Sequence, residues 1–91
     1  MVTYLTYPLF FSIMDDELQV KDMLEKLSNR LKELRKAQGY TNYEQFAFDH
    51  GLPRAQYGRY EKGQDLRFSS LVKVLTALDV SLKDFFAEGF E

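Results

Sequence analysis

Residues 43–63 read YEQFAFDHGLPRAQYGRYEKG, and the prediction of the fold starts from them. Within it, Ala47, Gly51 and Tyr57 fall at relative positions 0, +4 and +10. A small residue at 47 lets two helices approach each other, a glycine at 51 supplies the positive φ of a turn, and an apolar residue at 57 anchors the second helix to a core. The spacing therefore predicts two short helices joined by a tight turn, the second over residues 54–62.

A long amphipathic helix is predicted before this stretch. Apolar residues recur there at alternating spacings of 4 and 3, which places them on one face of a helix; they are Val20, Leu24, Leu27, Leu31 and Leu34. Asp15 or Asp16 can cap the N-terminus and Gly39 can end the helix, so we expect it over about 16–38. Such a helix is longer than a small core needs, and its first half has either simple packing on the domain or another partner. Two heptads are too few to predict a coiled coil, so we expect simple packing.

Three further helices complete the prediction. Thr41 or Asn42 can cap a helix over 43–50, with Glu44 or Gln45 at the capping-box position. Apolar periodicity predicts a helix over 69–78, and a serine-acid cap predicts a short one over 82–87. We expect an all-α, five-helix domain over residues 15–88, followed by a tail at 89–91.

The first 14 residues, MVTYLTYPLFFSIM, form an apolar leader. No basic residue precedes the apolar run, which argues against a signal peptide, and the run is shorter than the roughly 20 residues that span a bilayer as a helix. The alternation around Pro8 favours an extended segment or a strand. Met14 is an equally natural start of the chain, so the pattern leaves open whether residues 1–13 belong to the native protein.

Composition excludes several classes of function. The chain has no Cys and a single His, so disulfides, thiolate sites and the usual histidine-based metal sites or catalytic triads cannot form within it. We expect no cofactor, no metal, no enzymatic activity and a cytoplasmic location. The net charge of −2 is unevenly distributed, because residues 1–20 and 79–91 each carry −3 while residues 21–78 carry +4. This distribution permits a basic face that binds nucleic acid.

From Arg30 to Phe86 the chain resembles the Xre family, which includes the lambda-type phage repressors and Cro proteins. The resemblance rests on RLKELRKAQG, NYEQFAFDHGL, RAQYGRYEKG and SSLVKVLTALDVSLKDFF, in that order. Its most specific part is Arg-Tyr-Glu-Lys-Gly at 59–63, which is similar to the family's Arg-Ile-Glu-Asn-Gly. The resemblance implies a lambda-repressor-like, helix-turn-helix DNA-binding domain that regulates transcription as a homodimer on a pseudo-palindromic operator.

The resemblance also implies which residues contact double-stranded DNA. The family's base-reading positions correspond to Arg54, Ala55 and Arg59. Phosphate contacts are expected from two family positions, from the start of the second helix and from the loop after the third; these residues are Gln56, Lys62, Thr41, Asn42, Tyr43 and Arg67. Arg35 and Glu61 are expected to form a structural ion pair, so Glu61 is not interpreted as a catalytic carboxylate.

Two positions depart from the family pattern. Pro53 stands where the family usually has a Ser or Thr that caps the third helix and touches phosphate, and proline can do neither. Gly58 weakens a helix by roughly 0.8–1 kcal/mol relative to Ala. A helical wheel places Gly58 beside Arg59, opposite Tyr57. Our hypothesis is that the missing side chain lets the helix lie closer to DNA, so that Gly58→Ala lowers operator affinity and raises thermal stability.

An antitoxin or another protein-interaction module built on the same domain is the alternative function, with a toxin or other protein as partner. The acidic ends and the apolar leader would provide its surfaces. Two surfaces are candidates for the dimer contact. One is the last helix with Phe85, Phe86 and Phe90, and the other is the leader with Val20 and Leu24; core packing or disorder is the competing interpretation of both.

Overall fold

Five α-helices follow one another along the chain. In a computed structural model, which describes the backbone of residues 9–91 and the side chains from residue 15 onward, they are α1 Leu9–Ala37, α2 Tyr43–Asp49, α3 Arg54–Tyr60, α4 Phe68–Leu78 and α5 Leu82–Phe86. No strand occurs in this part of the chain. The prediction of an all-α, five-helix domain is confirmed.

The first helix begins earlier than predicted. It starts at Leu9, so Asp15 and Asp16 lie inside it and do not cap it. Residues 9–14 are helical, and the prediction of an extended leader is wrong for them; residues 1–8 lie outside the described residues. The physical reason lies in the sequence, because no glycine or proline interrupts the chain between Pro8 and the acidic residues.

The core lies against the C-terminal half of α1. Each helix contributes at least one side chain that is almost completely buried, namely Leu31, Phe46, Tyr57, Val74 and Phe85 from α1 to α5 in turn. Burying an apolar side chain of this size contributes about 1.5–3 kcal/mol. The core therefore joins all five helices, and α2 and α3 are fixed relative to α1.

The turn between α2 and α3 has the geometry that its residues predict. Ala47 is fully buried, its carbonyl accepts a hydrogen bond from the Leu52 amide at 2.8 Å, and Gly51 has φ +70°. Asn42, not Thr41, caps α2, because its Oδ1 accepts from the Gln45 amide at 2.7 Å. Pro53 occupies the N-cap of α3 without a side-chain bond. Pro53 therefore sets the entry into α3 through its fixed φ, and its carbonyl accepts from the Tyr57 amide at 2.9 Å.

Arg30 joins α5 to α1, a role that is not predicted from the sequence. Its guanidinium is buried and donates to the carbonyls of Phe85 at 2.8 Å and Asp84 at 2.9 Å, and to Glu33 at 2.7 Å. These carbonyls lie at the end of α5, where carbonyls have no amide four residues later in the helix. Within α5, the Ala87 amide reaches the Asp84 carbonyl at 3.3 Å. The arginine therefore closes α5 and joins it to α1.

The first half of α1 extends beyond the core. The molecule measures 50 × 24 × 22 Å, and residues 15–22 of α1 are all exposed. Val20 is 54% exposed and Leu18 is 64% exposed. Our expectation of simple packing on the domain is therefore wrong for this part of the helix, because α2–α5 are too short to cover more than its second half.

Candidate nucleic-acid interface

One side of α3 faces outward and carries the residues predicted to contact DNA. Arg54, Ala55, Gln56 and Arg59 are exposed, whereas Tyr57 points into the core. The helix ends at Tyr60, two residues earlier than predicted, and exposed Lys62 lies in the turn that follows. The exposed side therefore presents two arginines, one amide and one small residue along a helix of seven residues.

Gly58 does not belong to this outer side. It is buried, and a Cβ built on it would lie 2.5 Å from Cε1 of Tyr43 on α2. The wheel placed Gly58 with Arg59, but α2 crosses α3 closely enough at this point to cover the position. Our hypothesis that Gly58 brings α3 closer to DNA is therefore wrong, and the glycine instead makes room for the Tyr43 ring.

Tyr43 is half-buried, and its ring packs on Tyr57 with centroids 6.4 Å apart. Its hydroxyl oxygen would lie 2.9 Å from a Cβ at Gly58. Tyr43, which is predicted to contact phosphate, therefore also packs between α2 and α3.

Two surface depressions flank α3, and several of the residues predicted to contact DNA line them. Asn42 and Arg54 line the first together with Phe48 of α2. Gln56, Arg59 and Arg67 line the second, which α3 shares with the loop before α4 and the first turn of α4. The fold thus brings Arg67 next to α3 although it lies eight residues after Arg59 in the sequence. Thr41 and Lys62 line neither depression, and both are exposed.

Positive charge concentrates around this surface. Five basic residues lie between positions 53 and 73, and all are exposed: Arg54, Arg59, Lys62, Arg67 and Lys73. None of them forms an ion pair with another described residue. The two acidic residues of the same span are Glu61, which is buried and paired, and Asp65. Glu44, which is exposed, lines the first depression beside Arg54. With five basic residues against exposed Asp65 and Glu44, the surface is cationic although the whole chain has a net charge of −2.

Tyr60 on α3 and Ser70 and Lys73 on α4 are polar residues close to the predicted contact residues, and none of them is predicted from the sequence to contact DNA. Lys73 and Ser70 line a cleft with Gln56, and Gln56 Nε2 donates to the Tyr60 hydroxyl at 2.6 Å. This bond orients the Gln56 amide along α3. The sequence contains a pattern that indicates Ser70 and Lys73: Arg67, Ser70 and Lys73 are spaced three residues apart and so lie on one face at the start of α4.

Arg35 and Glu61 join α1 to the end of α3. Arg35 Nε and Nη2 donate to the two oxygens of Glu61, and Nη1 donates to the Tyr40 carbonyl at 3.0 Å. Both side chains are buried, and the hydrogen bond to Glu61 raises the pKa of Arg35. Burial and, after it, the neighbouring Glu61 carboxylate raise the pKa of Tyr57. The Tyr57 hydroxyl nevertheless forms no hydrogen bond among the described residues. All these groups are structural, since none reaches the exposed side of α3.

A protein-family model described as Helix-turn-helix matches residues 31–85. The chain belongs to the helix-turn-helix family of Xre and lambda repressor-like domains. No curated protein and no solved structure gives a significant match. Members of the family are regulatory DNA-binding domains that typically have no enzymatic activity.

The match to the helix-turn-helix family covers every residue predicted to contact DNA, from Thr41 to Arg67, and both residues of the Arg35–Glu61 pair. It does not include the first part of α1. Among the described residues no cluster of His, Asp or Glu could hold a metal ion. No helix in this part of the chain is both long and apolar enough to cross a membrane.

Proposed function

We propose that the protein is a sequence-specific transcriptional regulator that binds double-stranded DNA as a homodimer, with α3 in the major groove. The observation that carries the proposal is the group of five exposed basic residues around α3, which form no ion pairs with other described residues. Cations without protein partners are available to neutralise phosphates and release counterions. The major groove admits an α-helix, and the outer side of α3 offers the donors that base edges require.

Arg54, Ala55 and Arg59 are the proposed base-reading residues. Arg59 lies in the middle of the exposed side of α3. Its guanidinium can donate two hydrogen bonds to O6 and N7 of one guanine, which is worth about 1–3 kcal/mol of discrimination. Ala55 is small enough to leave the groove open and can contact a thymine methyl group.

The proposed phosphate contacts surround α3 on both sides. On one side of α3 they come from the start of α2 and its N-cap. On the other side they come from the Gln56 side chain on α3, from the turn after α3 and from the loop before α4. They involve Thr41, Asn42, Tyr43, Gln56, Lys62 and Arg67. Contacts of this kind fix the position and orientation of a protein on the duplex and carry no sequence information directly. With genomic DNA as the ligand, we place the protein in the cytoplasm and assign it no cofactor.

Selection of bound sequences from random duplex DNA tests the proposal, with the full chain at two salt concentrations. We expect enrichment of a two-fold symmetric site by the wild type and loss of that enrichment by Arg59→Ala. Lys83→Ala is the matched control, because it also removes one exposed positive charge but lies on α5. It should enrich the same site as the wild type.

Other results would contradict the proposal. Retention of DNA without any enriched sequence, lost at the higher salt concentration, would show non-specific binding. Absence of any binding would favour the alternative function, an antitoxin or protein-interaction module. An unchanged site with Arg59→Ala would remove Arg59 from the base-reading residues.

A further inference from the structure

We infer that the cleft between α3 and α4 binds a phosphate of the DNA backbone through the Lys73 ammonium, the Ser70 hydroxyl and the Gln56 amide. We call this the α3–α4 cleft; Gln56 lines it from α3, and Ser70 and Lys73 line it from α4. The inference rests on the proposed function, since the phosphate belongs to a duplex whose major groove holds α3. It gives a role in DNA binding to two residues of α4.

Hydrogen-bond donors from two helices line the α3–α4 cleft. Gln56 Nε2 donates one N–H to the Tyr60 hydroxyl at 2.6 Å, which leaves its second N–H for a ligand. Ser70 is half-buried and Lys73 lies one turn further along α4. A hydroxyl donates one hydrogen bond and an ammonium up to three. The donors of the cleft therefore suit a ligand with several acceptor oxygens.

Lys73 is the one charged residue among those that line the α3–α4 cleft. It is exposed and forms no ion pair with another described residue. Helix α4 contains no Asp or Glu that could balance its charge. An anion that enters the cleft thus meets a free cation without a carboxylate beside it. The charge of the cleft selects an anionic ligand.

The size of the α3–α4 cleft restricts the ligand further. Its volume is about 100 Å³. This equals the volume of roughly three water molecules in the liquid. A single phosphate group fits into a space of this size, whereas a nucleobase with its sugar does not. The cleft therefore suits the backbone of DNA, and base contacts are left to the exposed side of α3.

The α3–α4 cleft is continuous with the depression that Arg59 and Arg67 line. Three residues line both; they are Gln56, Tyr60 and Ser70. The two depressions therefore form one groove at the junction of α3 and α4, with Arg67 in one part and Lys73 in the other. A DNA strand places phosphates at regular intervals along such a groove. This continuity identifies the strand bound by α3 as the source of the phosphate.

Lys73 and Arg67 contact different phosphates. They are six residues apart, which is about 9 Å along a helix at 1.5 Å per residue. Each lines a different part of the groove. One strand carries a phosphate for about every 3.4 Å of the DNA axis, so the two cations have separate phosphates within reach. Their contributions to the release of counterions should therefore add.

The salt dependence of DNA affinity tests the inference, with the full chain on the selected duplex and on random DNA. Lys73→Ala should reduce the slope of log K against log[salt] by about 0.9 on both duplexes, because a phosphate contact carries no sequence information. Lys73→Arg should keep the wild-type slope. Arg67→Ala combined with Lys73→Ala should reduce the slope by about 1.8. Lys83→Ala is the matched control, since it removes an exposed positive charge from α5, and should leave the slope unchanged.

Uncharged methylphosphonate linkages locate the phosphate. When they are placed one at a time along the selected duplex, one linkage should weaken binding of the wild type and of Arg67→Ala but leave the affinity of Lys73→Ala unchanged. A neutral linkage has no counterion to release, so removing its cationic partner costs nothing further. A second linkage should show the reverse pattern for the two variants.

An unchanged slope for Lys73→Ala, while the wild type binds DNA, would overturn this inference and leave the proposed function intact. The same holds if the double variant has no smaller slope than Arg67→Ala, or if Lys73→Ala stays sensitive to every linkage that weakens the wild type. A wild type that binds neither duplex would overturn the proposed function and, with it, this inference.

Discussion

Arg35 holds the Glu61 carboxylate by two hydrogen bonds, Nε to Oε2 at 2.9 Å and Nη2 to Oε1 at 2.8 Å, across 26 residues of sequence. Both groups are 5% exposed. A buried pair of this geometry fixes the end of α3 to α1, because a planar guanidinium accepts only one orientation of the carboxylate. Through this pair, α1 fixes the position of α3 on its buried side, so the orientation of its exposed side is fixed as well.

Removing one member of this pair should be strongly destabilising. We expect Glu61→Gln to lower the free energy of unfolding by about 3–5 kcal/mol, because the buried Arg35 charge loses its counter-ion. Urea denaturation followed by circular dichroism measures the change. Glu44→Gln, at an exposed site on α2, is the control and should change stability little. The double variant Arg35→Met with Glu61→Leu should be more stable than Glu61→Gln, because it leaves no buried charge without a partner. If Glu61→Gln lowers the free energy of unfolding by less than about 1 kcal/mol, the ion pair is not desolvated as the structure implies.

The effect of Gly58→Ala should depend on Tyr43. In the wild-type background the new methyl group collides with the Tyr43 ring, which offsets the gain in helix propensity. In a Tyr43→Ala background the collision is absent, and Gly58→Ala should stabilise the protein by about 0.8–1 kcal/mol. A double-mutant cycle of unfolding free energies measures the difference, which we expect to be at least about 0.5 kcal/mol. The same effect in both backgrounds would show that the two residues do not interact.

The hydroxyl of Tyr57 should be dispensable for stability. It is buried without a hydrogen-bond partner among the described residues, so Tyr57→Phe removes a desolvated polar group and no hydrogen bond. Thermal unfolding should show an unchanged or higher Tm. Tyr60→Phe is the matched comparison and should cost about 0.5–1.5 kcal/mol, because the Tyr60 hydroxyl accepts from Gln56. A large loss for Tyr57→Phe would mean that its hydroxyl is satisfied in solution.

Arg59 and Arg67 should differ in what they contribute to DNA binding. Arg67→Ala should weaken binding to all sequences alike and reduce the slope of log K against log[salt] by about 1, because one phosphate contact is lost. Arg59→Ala should instead reduce the difference between the selected site and random DNA, by about 1–3 kcal/mol. Titrations of both duplexes at several salt concentrations distinguish the two. Identical behaviour of the two variants would assign Arg59 to phosphate.

Several structural features could be predicted from the sequence because they depend only on residues that are neighbours in the chain. Ala47, Gly51 and Tyr57 predicted the turn through their sizes and the positive φ at Gly51, and the apolar spacing predicted the second half of α1. The N-cap of α2 was predicted to be either Thr41 or Asn42, and neighbouring residues alone do not distinguish the two. The start of α1 lies earlier than the cap signal at Asp15 and Asp16 predicts, because no helix breaker is present from Leu9 onward.

Periodicity and backbone preferences act over a few residues, so the sequence alone predicted the five helices, the turn and the exposed side of α3 except at Gly58. Only the tertiary structure decided which groups meet across the chain. It placed Gly58 under Tyr43, Arg30 at the end of α5 and Arg67 beside Arg59. It also showed that the core ends near Leu24, so that the first half of α1 is left exposed. These contacts depend on how close the helices pack, and a helical wheel drawn for one helix contains no information about its neighbours.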